Sequence, residues 1–178
     1  MNWLTLITPW MLLVHNTVDF RETGAQEEYY QKLNHVVTGY IEMLENCNNN
    51  LRLVNKTGCM DCKIHSLGLQ FEARDSRNID SARKLMLSLV DSFLKTINGS
   101  ECLRPYLCRH PFTANNIEIR VNFVNDSKYY YPAPNEIKYM SFIDGTITYN
   151  TGNPRFLGEL EKLREEPLDF ARKAVTHY

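Results

Sequence analysis

Two cysteines separated by two residues, Cys59 and Cys62, form the motif of this sequence that is best suited to chemistry. Thiols at this spacing can share a zinc ion or close a redox-active disulfide. A zinc site needs two further ligands, for which the sequence offers Cys102, Cys108, His65 and His110. A C-x-x-C followed by a C-x5-C is not a standard zinc knuckle. The spacing therefore favours structural thiols or disulfides, with structural zinc as the alternative.

Redox catalysis by this pair is the least favoured interpretation. A redox-active C-x-x-C opens a helix, because the helix dipole lowers the pKa of the first thiol. Here the residues before the pair have turn composition, and those after it alternate like a strand.

The total of five cysteines includes Cys47 and is odd, so intramolecular disulfides cannot use every thiol. In an oxidising compartment, the natural pairing joins Cys102 to Cys108 and adds one bridge among the other three. In a reducing compartment all five would stay thiols.

Other catalytic patterns are missing from the sequence. The histidines occur singly, and no glycine-rich phosphate loop is present. Acidic residues near the carboxyl end are mixed with basic ones at helical spacing, which is typical of a solvated helix face. They are Glu159, Glu161, Glu165 and Glu166, beside Lys162 and Arg164. The sequence therefore favours a protein that is not an enzyme.

The best candidate for a recognition surface is a run of three tyrosines, Tyr129, Tyr130 and Tyr131, followed by Pro132 and Pro134. Tyrosine offers rigid amphipathic area at small entropic cost, and proline restricts the loop before binding. The run predicts a binding site for a protein partner. The alternative is that one or two of the rings fold back onto the edge of a sheet.

Residues 1–14 carry no charged side chain. Their apolar run is too short for a bilayer-spanning helix but has the length of the apolar part of a secretory signal. Residues 1–18 are therefore interpreted as a signal, which predicts export to the periplasm, the envelope or the medium, with membrane contact only if the segment stays uncleaved. No Lys or Arg precedes the run, and Pro9 interrupts it, so a cytoplasmic protein with a buried amino-terminal segment is the alternative.

Charge excludes one class of partner. Twenty basic and twenty-one acidic residues give a net charge of −1, and no stretch concentrates Lys and Arg. Nucleic-acid binding depends on clustered cations that neutralise phosphates. We therefore expect no nucleic-acid partner.

Apolar periodicity predicts three helical regions. The first covers residues 25–45. The second covers residues 79–97, with Asn78 as its cap. The third begins at Asn153 and Pro154, runs through Leu163, is broken by Pro167 and resumes over residues 168–175.

Alternation of apolar and polar residues predicts four strands, the first of which contains Leu67, Leu69 and Phe71. The second covers residues 117–123, and the last two form a hairpin around Asp144 and Gly145. The short apolar run 51–54 is expected to end in a turn at residues 55–58.

Together these elements predict a single α+β domain over residues 25–178. Its antiparallel or mixed sheet has about four strands, with two to three helices on one face and the other face wet or covered by a partner. The favoured function is a non-enzymatic exported or envelope-associated binding protein. The first alternative is a thiol or structural-zinc protein that uses Cys59 and Cys62. The second is a small-molecule carrier with its pocket between helix and sheet, for which the sequence indicates no polar anchor.

Overall fold

A computed structural model describes residues 24–47, 50–75, 77–124, 136–152 and 159–176 of the chain. The described residues form three helices and one sheet of six strands. In chain order these elements are α1 (Gly24–Cys47), β1 (Leu51–Met60), β2 (Ile64–Ala73), α2 (Ile79–Gly99), β3 (Ile117–Phe123), β4 (Tyr139–Ile143), β5 (Thr146–Gly152), β6 (Leu160–Pro167) and α3 (Leu168–Thr176). None of the described helices combines the length and the hydropathy that a bilayer-spanning segment requires. The predicted α+β class is confirmed, with two more strands than expected.

The order of the strands in the sheet is the same as their order in the chain. Strands β2 and β3 are parallel and are connected through α2, whereas every other neighbouring pair is antiparallel. The hairpin between β4 and β5 turns at Asp144 and Gly145, whose φ angles are 48° and 75°. Positive φ at both central positions is the requirement of the type I′ turn that the sequence predicts there.

The alternation of side chains along each strand separates an apolar inner face of the sheet from a polar outer face. Helices α1 and α2 cover the inner face, so that the core lies between one helical layer and one sheet. Inner-face residues of the central strands that are buried include Leu69, Phe71, Ile119, Val121, Met140 and Phe142. Full burial of one such side chain contributes about 1.5–3 kcal/mol to folding.

Helix α2 forms as its sequence predicts. The Asn78 side chain accepts a hydrogen bond from the Ser81 N–H at 3.0 Å and so satisfies one of the unpaired donors at the start of the helix. Tyr40 connects α1 to α2, because its hydroxyl donates to the Leu89 carbonyl at 3.2 Å. Burial raises the pKa of Tyr40 to about 12, so the hydroxyl keeps its proton at neutral pH.

The predicted turn at residues 55–58 is wrong, because these residues continue β1. Asn55 pairs with Gln70 and Gly58 with Leu67, and the chain reverses only at residues 61–63. A Cβ atom on Gly58 would lie 2.9 Å from the Ser66 carbonyl oxygen. The two strands can therefore approach this closely only with glycine at position 58. From the sequence alone, such a glycine cannot be distinguished from one that a turn requires.

The predicted helix through Leu163 is also wrong, since Leu160–Pro167 is strand β6, paired antiparallel with β5. Residues 153–158, where its start was expected, lie outside the described residues. The leucine spacing resembled a helix, yet Leu160 is 49% exposed. The inward positions of β6 are occupied by Arg164 and Glu166, so apolar alternation is absent from this strand. Helix α3 then follows Pro167, as predicted.

Candidate binding sites

A cavity of about 220 Å³ lies between helix α1 and strands β1 and β2. Its apolar lining consists of Leu33, Val37, Met60, Leu67, Leu69 and Phe93. The periodicity of α1 and the inward face of β2 supply most of these side chains, and Phe93 of α2 contributes to the apolar wall. This space is where the sequence-based carrier hypothesis expected a pocket.

The mouth of the cavity is polar. Lys56 pairs with Leu69 across β1 and β2, which places the lysine on the inner face of the edge strand. Its side chain is exposed, and its Nζ atom lies 3.4 Å from Oδ1 of Asn34 on α1. Among the described residues that line the cavity, Lys56 alone carries a charge. The sequence alone does not indicate this anchor, because the composition of residues 55–58 predicts a turn there.

The outer face of the sheet forms a second candidate surface. The registers of neighbouring strands align five side chains into one row from β2 to β6: Gln70, Arg120, Ser141, Thr148 and Glu165. Helix α3 belongs to the opposite layer, because it packs against α2. The three described helices therefore do not lie over this polar row, in which Ser141 is buried and the other four side chains are at least partly exposed.

Ion pairs on the outer face mix both signs. Arg120 lies 2.9 Å from Glu118 on its own strand, and Arg52 on β1 lies 2.7 Å from Glu72 on β2. Arg120 and Glu118 are each more than a third exposed. Solvent screens such pairs, so they contribute little to stability and remain accessible to a partner.

At the far end of the inner face, Glu166 of β6 is the centre of a buried polar network. Its carboxylate accepts hydrogen bonds from Arg83 Nε at 2.6 Å, Arg83 Nη2 at 3.0 Å and the Tyr149 hydroxyl at 2.8 Å. Arg164 Nε lies 3.0 Å from the second oxygen. The expectation that these acidic residues line a helix face is wrong, because Glu161, Glu165 and Glu166 lie on strand β6. Glu161 and Glu165 are exposed, whereas Glu166 is only 2% exposed.

The electrostatics of this network favour a structural role. Burial raises the pKa of Glu166, but the hydrogen bonds from Arg83 and Tyr149 and the charges of Arg83 and Arg164 outweigh it. The pKa of Glu166 consequently lies below its ordinary value of 4.5. Burial and the bond to Glu166 raise the pKa of Tyr149 far above its usual range. Neither group titrates near neutral pH, which is unlike an acid–base pair tuned for catalysis.

All five cysteines are free and exposed. The tip of the β1–β2 hairpin, which carries Cys62, lies against the loop after α2, because the Cys108 N–H donates to the Ile64 carbonyl at 2.9 Å. The expected bridge between Cys102 and Cys108 is not formed.

The candidate zinc ligands do not converge. His65 lies 3.0 Å from an Asp61 carboxylate oxygen, and His110 Nε2 lies 3.2 Å from the Asn98 carbonyl oxygen. Within the described ranges, no three His, Cys, Asp or Glu residues are grouped so that they could hold a metal ion. The loop contact therefore brings Cys62 and Cys108 onto adjacent segments without completing a site.

The tyrosines Tyr129, Tyr130 and Tyr131 lie outside the described residues. The nearest described backbone on each side is held at one end of the sheet. The Val124 N–H donates to the Ala73 carbonyl at 2.9 Å, and the Ile137 N–H donates to the Arg77 carbonyl at 2.8 Å.

In comparisons with known proteins, no family model, no curated protein and no solved structure matches this chain. The geometry of the cavity and of the outer face is therefore what bears on function.

Proposed function

We propose that this protein is a non-enzymatic binding protein that holds a protein partner on the outer face of its sheet. The observation that carries the proposal is the polar row from Gln70 to Glu165, which crosses five strands and has no described helix over it. The row contains one amide, one guanidinium, two hydroxyl groups and one carboxylate. Such a surface can satisfy a partner's hydrogen-bonding groups while staying soluble when it is free.

The size of this face suits a stable complex. Six strands about 4.8 Å apart span roughly 24 Å, and a strand of seven residues is roughly 23 Å long. The flat area is roughly 550 Å², before side chains add relief. A standard interface buries about 800 Å² on each partner, so the face together with a neighbouring segment would be sufficient.

The run of Tyr129, Tyr130 and Tyr131 is the segment that we propose to complete the interface. Tyrosine is enriched in protein interfaces because its ring adds apolar area and its hydroxyl adds a hydrogen bond. The described residues that flank the run are attached to one end of the sheet.

Site-specific photo-cross-linking in the native host tests this proposal. A cross-linking residue at Glu118, on the outer face, should yield one discrete protein adduct. The matched control is Lys95, which is exposed on α2 in the other layer. Replacing the three tyrosines with serine should lower the Glu118 adduct at least tenfold at an unchanged melting temperature. Equal adducts at Glu118 and Lys95, or none at either, would contradict the proposal.

We also propose that the protein works after export. Free cysteine is among the most buried residue types, yet all five thiols here are exposed. Exposed thiols would oxidise outside the cytoplasm, and Cys102 with Cys108, in one surface loop, is the pairing that we expect.

The intact mass of the native protein, measured with and without reduction and alkylation, checks the proposed export. Loss of the first 15 to 20 residues together with masked thiols is the expected result. A full-length chain with five alkylatable thiols would place the protein in a reducing compartment instead.

A further inference from the structure

The cavity beneath β1 is larger than the voids of ordinary protein packing. Protein interiors are close-packed, and voids larger than a water molecule are few. At about 220 Å³ the cavity exceeds the volume of about 150 Å³ that is sufficient to hold benzene in an engineered apolar site. The cavity opens to solvent, so a small ligand can enter it.

The walls of the cavity select an apolar occupant. Leu33, Val37, Leu67, Leu69 and Phe93 are each at most 6% exposed and present only hydrocarbon. Ordered water needs two to four polar partners, and these five side chains provide none. The polar side chains of the lining, which are all at least partly exposed, are Tyr30, Asn34, Lys56 and Thr57. The interior is therefore suited to an alkyl or aryl group.

The mouth of the cavity selects an anionic head group. The ammonium of Lys56 has three N–H donors, and its nearest polar contact is the amide oxygen of Asn34 at 3.4 Å. No described carboxylate forms an ion pair with Lys56. The Asn34 amide nitrogen adds two further donors beside it. Together these groups match the two oxygens of one carboxylate.

We propose that this cavity binds a small monocarboxylic acid, with its apolar tail beneath β1 and its carboxylate at Lys56 and Asn34. At about 30 Å³ for each water-sized group, the volume accommodates roughly seven carbons. This site lies on the inner side of the sheet and is independent of the outer-face function. Its ligands are medium-chain alkanoates and aryl-substituted short acids.

Titration calorimetry with octanoate, and with 1-octanol as the neutral probe of equal carbon number, tests the proposal on the full chain. Octanoate should bind one-to-one and at least tenfold more tightly than octanol. Lys56→Met should weaken octanoate binding about tenfold and leave octanol binding within threefold. The control Lys95→Met, at an exposed position on α2, should change neither affinity.

A second variant tests whether the tail enters the cavity. Val37→Phe fills space beside Leu69, and it should abolish the binding of both probes while the melting temperature is maintained. Several outcomes would overturn the proposal. They are no octanoate binding by the natural chain, equal effects of Lys56→Met on both probes, or octanoate binding that survives Val37→Phe in a folded protein.

Discussion

The two ends of the inner face of the sheet differ in the side chains that occupy their interior positions. At the β6 end, Glu166 is inserted into the interior, and Arg83, Tyr149 and Arg164 satisfy it. At the β1 end the lining is apolar, yet about 220 Å³ stays unfilled. Strand β1 contributes Met60 to this lining, whereas its inward positions Lys56 and Gly58 place no apolar side chain in the space. Arg83 itself borders a second cavity of about 160 Å³, with Asp80, Lys84, Ala174 and Val175. The two ends therefore differ in the chemistry of their interior side chains more than in how completely they are packed.

Removing the acid at the β6 end should have the largest effect on stability. Glu166→Ala leaves the buried guanidinium of Arg83 without its main partner, and the free energy of unfolding should fall by about 3–5 kcal/mol. Chemical denaturation measures this change. The matched control is Glu165→Ala, on the neighbouring exposed position of β6, which should stay within about 0.5 kcal/mol of the natural chain.

The dependence of this effect on pH has a defined sign. The pKa of Glu166 is depressed by folding, so its contribution to stability is complete above the ordinary value of 4.5 and is lost as the pH falls through the folded value. The difference between the natural chain and Glu166→Ala should accordingly shrink as the pH falls below 4.5. A difference that is constant from pH 7 to pH 3 would contradict the role assigned to the ionised carboxylate.

Adding one methyl group should have smaller effects on stability, with opposite signs beside the cavity and in the packed core. Val37→Ile adds a carbon where α1 borders the cavity and should stabilise the protein by about 0.5–1 kcal/mol. The same change at Val90, which is fully buried in α2, should destabilise it by about 1–3 kcal/mol through overpacking. Thermal unfolding of both variants gives the two signs, and destabilisation by Val37→Ile would mean that the cavity is closed in solution.

The elements that the sequence predicted correctly are those in which local signals and tertiary burial agree. Helix α2 has a capping Asn78 and a broad apolar stripe, and β3 alternates Ile117, Ile119 and Val121 with polar residues. The Asp144–Gly145 turn requires positive φ, which few other dipeptides tolerate. In each case one physical requirement determines both the pattern and the structure.

The two edge strands escaped prediction because pairing, and not composition, determines them. Strand β1 is polar along most of its length and contains a glycine that the neighbouring backbone requires. Strand β6 carries its inward charge at Glu166, which is tolerated only because Arg83, 83 residues earlier in the chain, reaches it. Both candidate sites depend on such distant partners. Lys56 becomes part of a binding site only because α1 places Asn34 beside it. The polar row of the outer face forms only because the registers of five strands align its side chains.

The match between strand order and chain order has a consequence for how the molecule is made. Each strand after the first pairs with the strand synthesised just before it, so no strand of the described sheet must wait for a partner strand that is made much later. The longest delay is the crossover through α2 from Ala73 to Ile117, which a ribosome adding about 5–20 residues per second completes within several seconds. The sheet can therefore grow from one edge to the other as the polypeptide emerges, and its last-made edge, β6, brings the carboxylate that Arg83 needs.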